Sequence, residues 1–192
     1  MANTITLVRT LLAFLVAALL HVRLPGVYVT AAVLTVVVIL LDALDGWVAR
    51  RFNECSRFGA LADILGDRVT EMTYWIVFAA LGWVPAWVAV VFAARGILVD
   101  GLRSMALESG LTAFGMMRTR LGKLLVSSRS SRALYGAGKL LAFTLMILLF
   151  TPGIVPAIGG PLRMLAYTCV YVTVVLCVVR GAPVVAEGRR FL

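Results

Sequence analysis

The chain has 192 residues, 62% of them hydrophobic and 14% charged, an apolar share well above the roughly 45–50% of soluble globular domains. That composition excludes an ordinary soluble domain, so residues 1–192 are read as a single membrane domain with lipid as its solvent. The net charge of +9 would suggest nucleic acid in a soluble protein; here the basic residues cluster between apolar stretches, where each gains about 1 kcal/mol from anionic lipid, and nucleic acid is not an expected partner.

A membrane-spanning helix needs about 20 mainly apolar residues, and the apolar stretches predict helices at about 4–21, 27–51, 60–82, 84–108, 132–151 and 156–181. The expected fold is therefore all-α, a polytopic integral membrane protein with about six transmembrane helices. The first stretch has no basic run before it and no small-residue cleavage site after it, so it is read as a retained helix rather than a secretory signal. Pro25-Gly26, Gly82 with Pro85, and the run from Thr151 to Pro161 supply the residues that end or bend helices.

Arg50, Arg51, Arg57, Arg118, Arg120, Lys123, Arg129, Arg132, Arg189 and Arg190 follow the second, fourth and sixth stretches, whereas the opposite loops hold little beyond Arg23 and Arg163. By the positive-inside rule the basic side is cytoplasmic, and an even helix count places both termini there. Cys55, Cys169 and Cys177 show no metal-ligand spacing and are read as buried thiols. Trp47, Trp75, Trp83 and Trp87 are read as interfacial anchors or packing, and His21 as a boundary residue.

Chemistry concentrates where the second and third stretches meet. Asp42-Ala43-Leu44-Asp45-Gly46 and Asp63-Ile64-Leu65-Gly66-Asp67 hold four of the nine acids, and the spacings of three and four put each pair on one helix face. A hairpin across the segment near Phe52 to Phe58 would bring all four carboxylates together. Such a group repels itself in a low dielectric unless compensated. A divalent cation removes the conflict, and an all-oxygen donor set selects Mg²⁺ or Mn²⁺ over zinc. Gly46 and Gly59 would let a nucleotide diphosphate approach the backbone; Arg50 would meet a phosphate and Ser56 would donate a hydroxyl. The plainer reading, helix-end acids paired with Arg50, Arg51, Arg57 and Arg68, must contend with the cost of placing acids in membrane helices, where they are functional by default.

The full pattern, DxxDGxxARx(8)GxxxDxxxD, resembles the signature of the CDP-alcohol phosphatidyltransferase family, with Asp42, Asp45, Gly46, Ala49, Arg50, Gly59, Asp63 and Asp67 at its defined positions. The resemblance implies a homodimer of six-helix subunits in the membrane of a bacterium, with the active site facing the cytoplasm. It also implies two metal ions, Mg²⁺ or Mn²⁺, bridged by Asp42 and Asp63, with Asp45 completing one and Asp67 completing the other. Asp67 is the implied catalytic base, activating an acceptor hydroxyl for attack on the β-phosphate of a CDP-lipid such as CDP-diacylglycerol, with release of CMP. Thr6, Gly46, Ala49, Arg50, Ser56 and Gly59 correspond to positions that contact the CDP-lipid.

The remaining cations address the acceptor, because guanidinium forks match phosphate oxygens. Arg118, Lys123, Arg129, Arg132 and Arg180 are the acceptor-binding candidates; Lys139 lies close by in sequence, and about half of this basic set is read as plain membrane anchoring. Ala94-Arg95 with Leu102-Arg103 is similar to the arginine pattern of phosphatidylglycerophosphate synthases, which usually carry proline and lysine where this chain has Ile64 and Arg68. Asp67-Arg68 and Arg129-Ser130-Ser131-Arg132 look more like the inositol-phosphate branch. Glycerol 3-phosphate ranks first as acceptor, inositol phosphate second and an unphosphorylated alcohol such as serine third. Arg95, Asp100, Arg103 and Glu108 are read equally as helix-to-helix ion pairs or as support for the site. A transporter using the acids as an ion pathway is the alternative of a different class; it explains the acids but not the attached glycines and arginine.

Overall fold

The computed structural model describes residues 2–51, 57–108, 117, 119–153 and 155–189, with side chains at all of these except 2–3, 43, 45–51, 57–61, 63, 107–108, 127, 129 and 155–158. The elements are helical throughout this part: α1 (Ala2–Leu19), α2 (Pro25–Arg51), α3 (Arg57–Ala80), α4 (Ala86–Glu108), a short α5 (Arg120–Gly122) continuing as a π-helical turn (Lys123–Ser127), α6 (Arg129–Leu149) and α7 (Val155–Gly188).

The ends of these helices have local causes. Pro25 opens α2 at the position where its missing N–H costs nothing. Gly82, at φ +73°, turns the chain after α3, while the amides of Gly82 and Trp83 donate to Ala79 and Phe78 carbonyls at 3.0 and 2.8 Å. Ser128 caps α6 by accepting from the Ser131 amide at 3.2 Å, which starts that helix three residues before the expected 132. Thr119 caps α5 in the same way, accepting from Gly122 N at 3.0 Å, and its hydroxyl donates to Glu187 on α7 at 2.6 Å.

Two expectations are corrected. The segment 120–127, left outside the helices expected from apolar length, is helical, and α7 runs to Gly188 instead of stopping near 181. Pro183 lies inside α7, yet the helix continues because Val184, fully buried, packs with Val99, Leu102 and Ala106 of α4. Tertiary packing here outweighs the lost hydrogen bond.

Among the described residues, three helical segments are long and apolar enough to cross a membrane, Pro25–Asp42, Arg120–Leu149 and Gly159–Gly188, and a shorter apolar helix covers Thr4–Leu19. The other two long helices carry charge: Asp63, Asp67, Arg68 and Glu71 on α3, and Arg95, Asp100 and Arg103 on α4. Exposed apolar side chains such as Val90 (63%), Ile97 (75%) and Met164 (77%) cover the outside, a surface suited to lipid rather than water. The protein is a multi-pass membrane protein.

The long helices close a ring. α1 packs on α2 and α3, α3 on α4, α4 on α7, α7 on α6, and α6 back on α2. One end of the ring is an aromatic core: Trp75 stacks on Phe92 at 4.4 Å, Tyr74 on Phe143 at 4.5 Å and Trp83 on Phe150 at 4.6 Å. Along α3 the charges precede the aromatics, whereas along α4 Phe92 precedes the charges. Successive helices thus deliver their polar halves to the same end.

Candidate active site

The aspartates come first. Asp42, from the later part of α2, and Asp67, from the first half of α3, both reach Arg9 of α1. Arg9 Nη1 lies 2.8 Å from Asp67 Oδ1 and contacts Asp42 Oδ1. The guanidinium is 1% exposed, while the two carboxylates keep 43% and 47% of their surface. Gly66 makes this approach possible: a Cβ there would lie 2.6 Å from Thr6 Cγ2 and 3.3 Å from Arg9 Nη2. Thr6 itself is buried at this crossing. Two half-open carboxylates are oxygen donors of the kind a hard divalent cation takes; here both pair with Arg9, the side chains of Asp45 and Asp63 lie outside the described residues, and among those described no group of three or more acidic, histidine or cysteine side chains is placed to hold a metal ion.

Behind Asp67 runs a network of ion pairs. Arg68 clamps Asp100 of α4 with a fork, Nε to Oδ2 at 2.5 Å and Nη2 to Oδ1 at 3.1 Å, and its Nη1 donates to Glu71 Oε2 at 3.0 Å. Glu71 is 4% exposed. Its other oxygen accepts from the Tyr135 hydroxyl of α6 at 2.7 Å, with Lys139 Nζ 3.6 Å away.

Asp42, Asp67 and this network line one cavity of about 310 Å³, together with Arg95 and Arg103 of α4, Arg132 and Lys139 of α6, and Arg180 of α7. Its described lining holds six cations against four carboxylates. Gly181 admits Arg95, since a Cβ there would come within 2.9 Å of Arg95 Cγ. Arg180 contacts the Ser131 hydroxyl. The buried Nε atoms of Arg95 and Arg180 have no hydrogen-bond partner among the described residues, and unsatisfied buried donors mark a place where a ligand acceptor would be stabilised.

Of the sequence-predicted residues, Asp42, Asp67, Arg132 and Arg180 meet in the cavity. Thr6 lies against Gly66 at the α1–α3 crossing and does not line this cavity. Lys123 is exposed on the π-helical turn and does not line the cavity. The backbones of Asp45, Gly46, Ala49 and Arg50 on α2, Gly59 and Asp63 on α3, and Arg129 on α6 are helical, but their side chains lie outside the described residues, as do Ser56 and Arg118 altogether. Cys177 is buried and Cys169 half-buried, both as free thiols; Cys55 lies outside the described residues. Trp75 and Trp83 are core packing rather than interfacial anchors.

Sequence reasoning missed Arg9, Glu71 and Tyr135. A lone arginine within the apolar run Thr6-Leu7-Val8-Arg9-Thr10 and a lone acid four residues past Asp67 were the available signals, since charges within membrane helices are rarely idle. Tyr135 carried no such signal.

The membrane helices thus enclose one cavity in which carboxylates and guanidinium groups are interleaved. The chain belongs to the CDP-alcohol phosphatidyltransferase family, whose model matches residues 1–179, and with that the transporter alternative falls away. It is 29% identical over 100 residues, 52% of this chain and 50% of the other, to the CDP-diacylglycerol-glycerol-3-phosphate 3-phosphatidyltransferase of Bacillus subtilis. It is 38% identical over 82 residues, 43% of this chain and 38% of the other, to a putative cardiolipin synthase of Mycobacterium tuberculosis. A third relative, the CDP-diacylglycerol-inositol 3-phosphatidyltransferase 1 of Arabidopsis thaliana, is 48% identical over 40 residues, 21% of this chain and 18% of the other. The matches span half the length of these relatives or less.

Proposed function

We propose that this protein transfers a phosphatidyl group from CDP-diacylglycerol to glycerol 3-phosphate, releasing CMP. The observation that carries the reading is the shared cavity: Asp42 and Asp67 open into the same space as Arg95, Arg103, Arg132, Lys139 and Arg180. An acceptor whose phosphate rests on the cations has its hydroxyl within the same space as the carboxylates. This excess of cations supports a phosphorylated acceptor over serine, and the names of the Bacillus subtilis relative and of the Mycoplasma relatives favour glycerol 3-phosphate.

Asp42, Asp45, Asp63 and Asp67 are assigned to two divalent ions, Mg²⁺ or Mn²⁺. When bound, these ions supply charge neutralisation for the diphosphate and for the entering and leaving oxygens. Asp67 takes the proton of the acceptor hydroxyl. The freed oxygen attacks the β-phosphorus that carries diacylglycerol, a new P–O bond forms, and the bond to the α–β bridging oxygen breaks with its electron pair leaving on CMP. Thr6, Gly46, Ala49, Arg50, Ser56 and Gly59 are assigned to the CDP-lipid; Arg132 and Arg180 are assigned to the acceptor phosphate, with Arg118, Lys123 and Arg129 at its approach.

The clustering of basic residues after the second, fourth and sixth stretches supports a site that faces the cytoplasm, a bacterial inner membrane and a homodimer are inferred from the family, and the whole chain is taken as one domain. Inositol phosphate is the second reading, since the same cations match its phosphate and the Arabidopsis relative is named for inositol transfer. CMP release from CDP-diacylglycerol, with Mg²⁺ or Mn²⁺ and each of glycerol 3-phosphate, inositol phosphate, inositol and serine offered separately, decides. Release with glycerol 3-phosphate alone supports the proposal; release with serine or inositol alone overturns it.

A further inference from the structure

The cations of the cavity pose a placement problem. Arg95, Lys139 and Arg180 come from three different helices, and like charges gathered in a membrane interior repel one another. The usual remedy, a carboxylate partner for each, would occupy the N–H groups that a phosphate needs. For Arg95 and Arg180 the structure uses an aromatic face instead, which they share with Lys139, itself 3.6 Å from Glu71. Tyr135, 8% exposed, has Lys139 Nζ 4.9 Å from its ring centroid, Arg180 Cζ at 5.4 Å and Arg95 Cζ at 5.9 Å. All three lie within the roughly 6 Å at which a ring quadrupole attracts a cation. Among the described residues neither Arg95 nor Arg180 has a carboxylate partner.

The ring is itself held. Its hydroxyl donates to Glu71 at 2.7 Å, and Glu71 is fixed by Arg68, which grips Asp100 across the α3–α4 contact. Glu71 thereby places one buried negative charge near the three cations and spends its hydrogen bonds on Tyr135 and Arg68. Donors on Arg95 and Arg180 stay available to the cavity, where the buried Nε atoms lack partners among the described residues.

We infer that Tyr135 is a positioning residue of the acceptor pocket: its ring sets the placement of Arg95, Lys139 and Arg180, and its hydroxyl, anchored on Glu71, fixes the ring. The inference rests on the proposed phosphorylated acceptor and adds the residue that organises the cations meeting it.

The test uses the full-length protein in lipid nanodiscs, with CMP release measured against each substrate in turn. Tyr135→Leu removes the ring and raises the KM for glycerol 3-phosphate about tenfold or more, while the KM for CDP-diacylglycerol stays within about twofold. Tyr135→Phe keeps the ring and loses only the anchor, giving a smaller rise of about two- to fivefold. Equal rises in both KM values, a fall in kcat alone, or equal effects of Leu and Phe overturn the inference. If Tyr135→Leu does not fold, Tyr135→Phe decides: an unchanged acceptor KM overturns it. Calorimetric titration with inorganic phosphate separates this inference from the acceptor reading. Wild-type protein that binds phosphate but turns over no phosphorylated acceptor overturns the acceptor reading alone, whereas unchanged phosphate affinity in Tyr135→Leu overturns the role of Tyr135.

Discussion

In the proposed mechanism Asp67 is asked for two things, a share of a metal ion and a proton, and these separate on substitution. Asp67→Asn keeps an oxygen donor but loses the base, so CMP release should fall by about 10³-fold or more while CDP-lipid binding, followed by equilibrium titration, is largely kept; near-normal turnover would remove the base assignment. Arg132 lines the same cavity from α6, and Arg132→Ala should raise the acceptor KM by about tenfold with less effect on that of CDP-diacylglycerol. Equal effects on the two would place Arg132 outside the acceptor pocket. Arg9 has a different task, since it is buried against two carboxylates that are themselves nearly half exposed. Arg9→Met should lower the thermal midpoint in EDTA by several degrees, after discounting the pair for its open side, and Mg²⁺ should narrow that loss by replacing the missing positive charge. At this scale Asp42 and Asp67, which share the cavity, were legible in sequence because their spacing belongs to a strict pattern. Glu71 and Tyr135 were not: a single acid or tyrosine on a helix reveals its partner only once α3, α4 and α6 are packed together.

At the scale of elements, the polar half of each helix has to be kept in register with its neighbours. Between α3 and α4 that register is set by the Arg68–Asp100 fork, a geometry that lysine cannot reproduce. Asp100→Asn should lower stability by about 1–3 kcal/mol, measured by thermal unfolding in detergent, and Arg68→Lys should fail to match the wild type even though charge is conserved. Equal stability of Arg68→Lys and wild type would reduce the fork to a simple charge contact. Six long helices were readable from apolar length and from Pro25, Gly82 and Gly153, because lipid penalises any other backbone arrangement. The boundaries of α6 and α7 were less so. Ser128 as a cap competes with other serines in the run Ser127-Ser128-Arg129-Ser130-Ser131, and the persistence of α7 past Pro183 depends on its contact with α4, which no local rule contains.

For the whole molecule, the proposed direction of insertion rests on where the basic segments lie. Cysteines introduced as Arg163→Cys and Arg120→Cys should react with a membrane-impermeant maleimide from opposite faces of intact cells and inverted vesicles, position 163 from outside and position 120 from the cytoplasmic side; labelling of both from one face would contradict the six spans expected from the sequence. The closed ring also has a consequence for biosynthesis. The acids at positions 42 to 67 are translated before α4, α6 and α7 bring the cations that line the finished cavity, so the first hairpin enters the bilayer long before its eventual neighbours exist. Arg9 has by then already emerged, within the helix that packs on both α2 and α3. The nascent segment therefore carries its own counter-ion through the insertion machinery, while the cations on α4, α6 and α7 join it only once those later helices have been made.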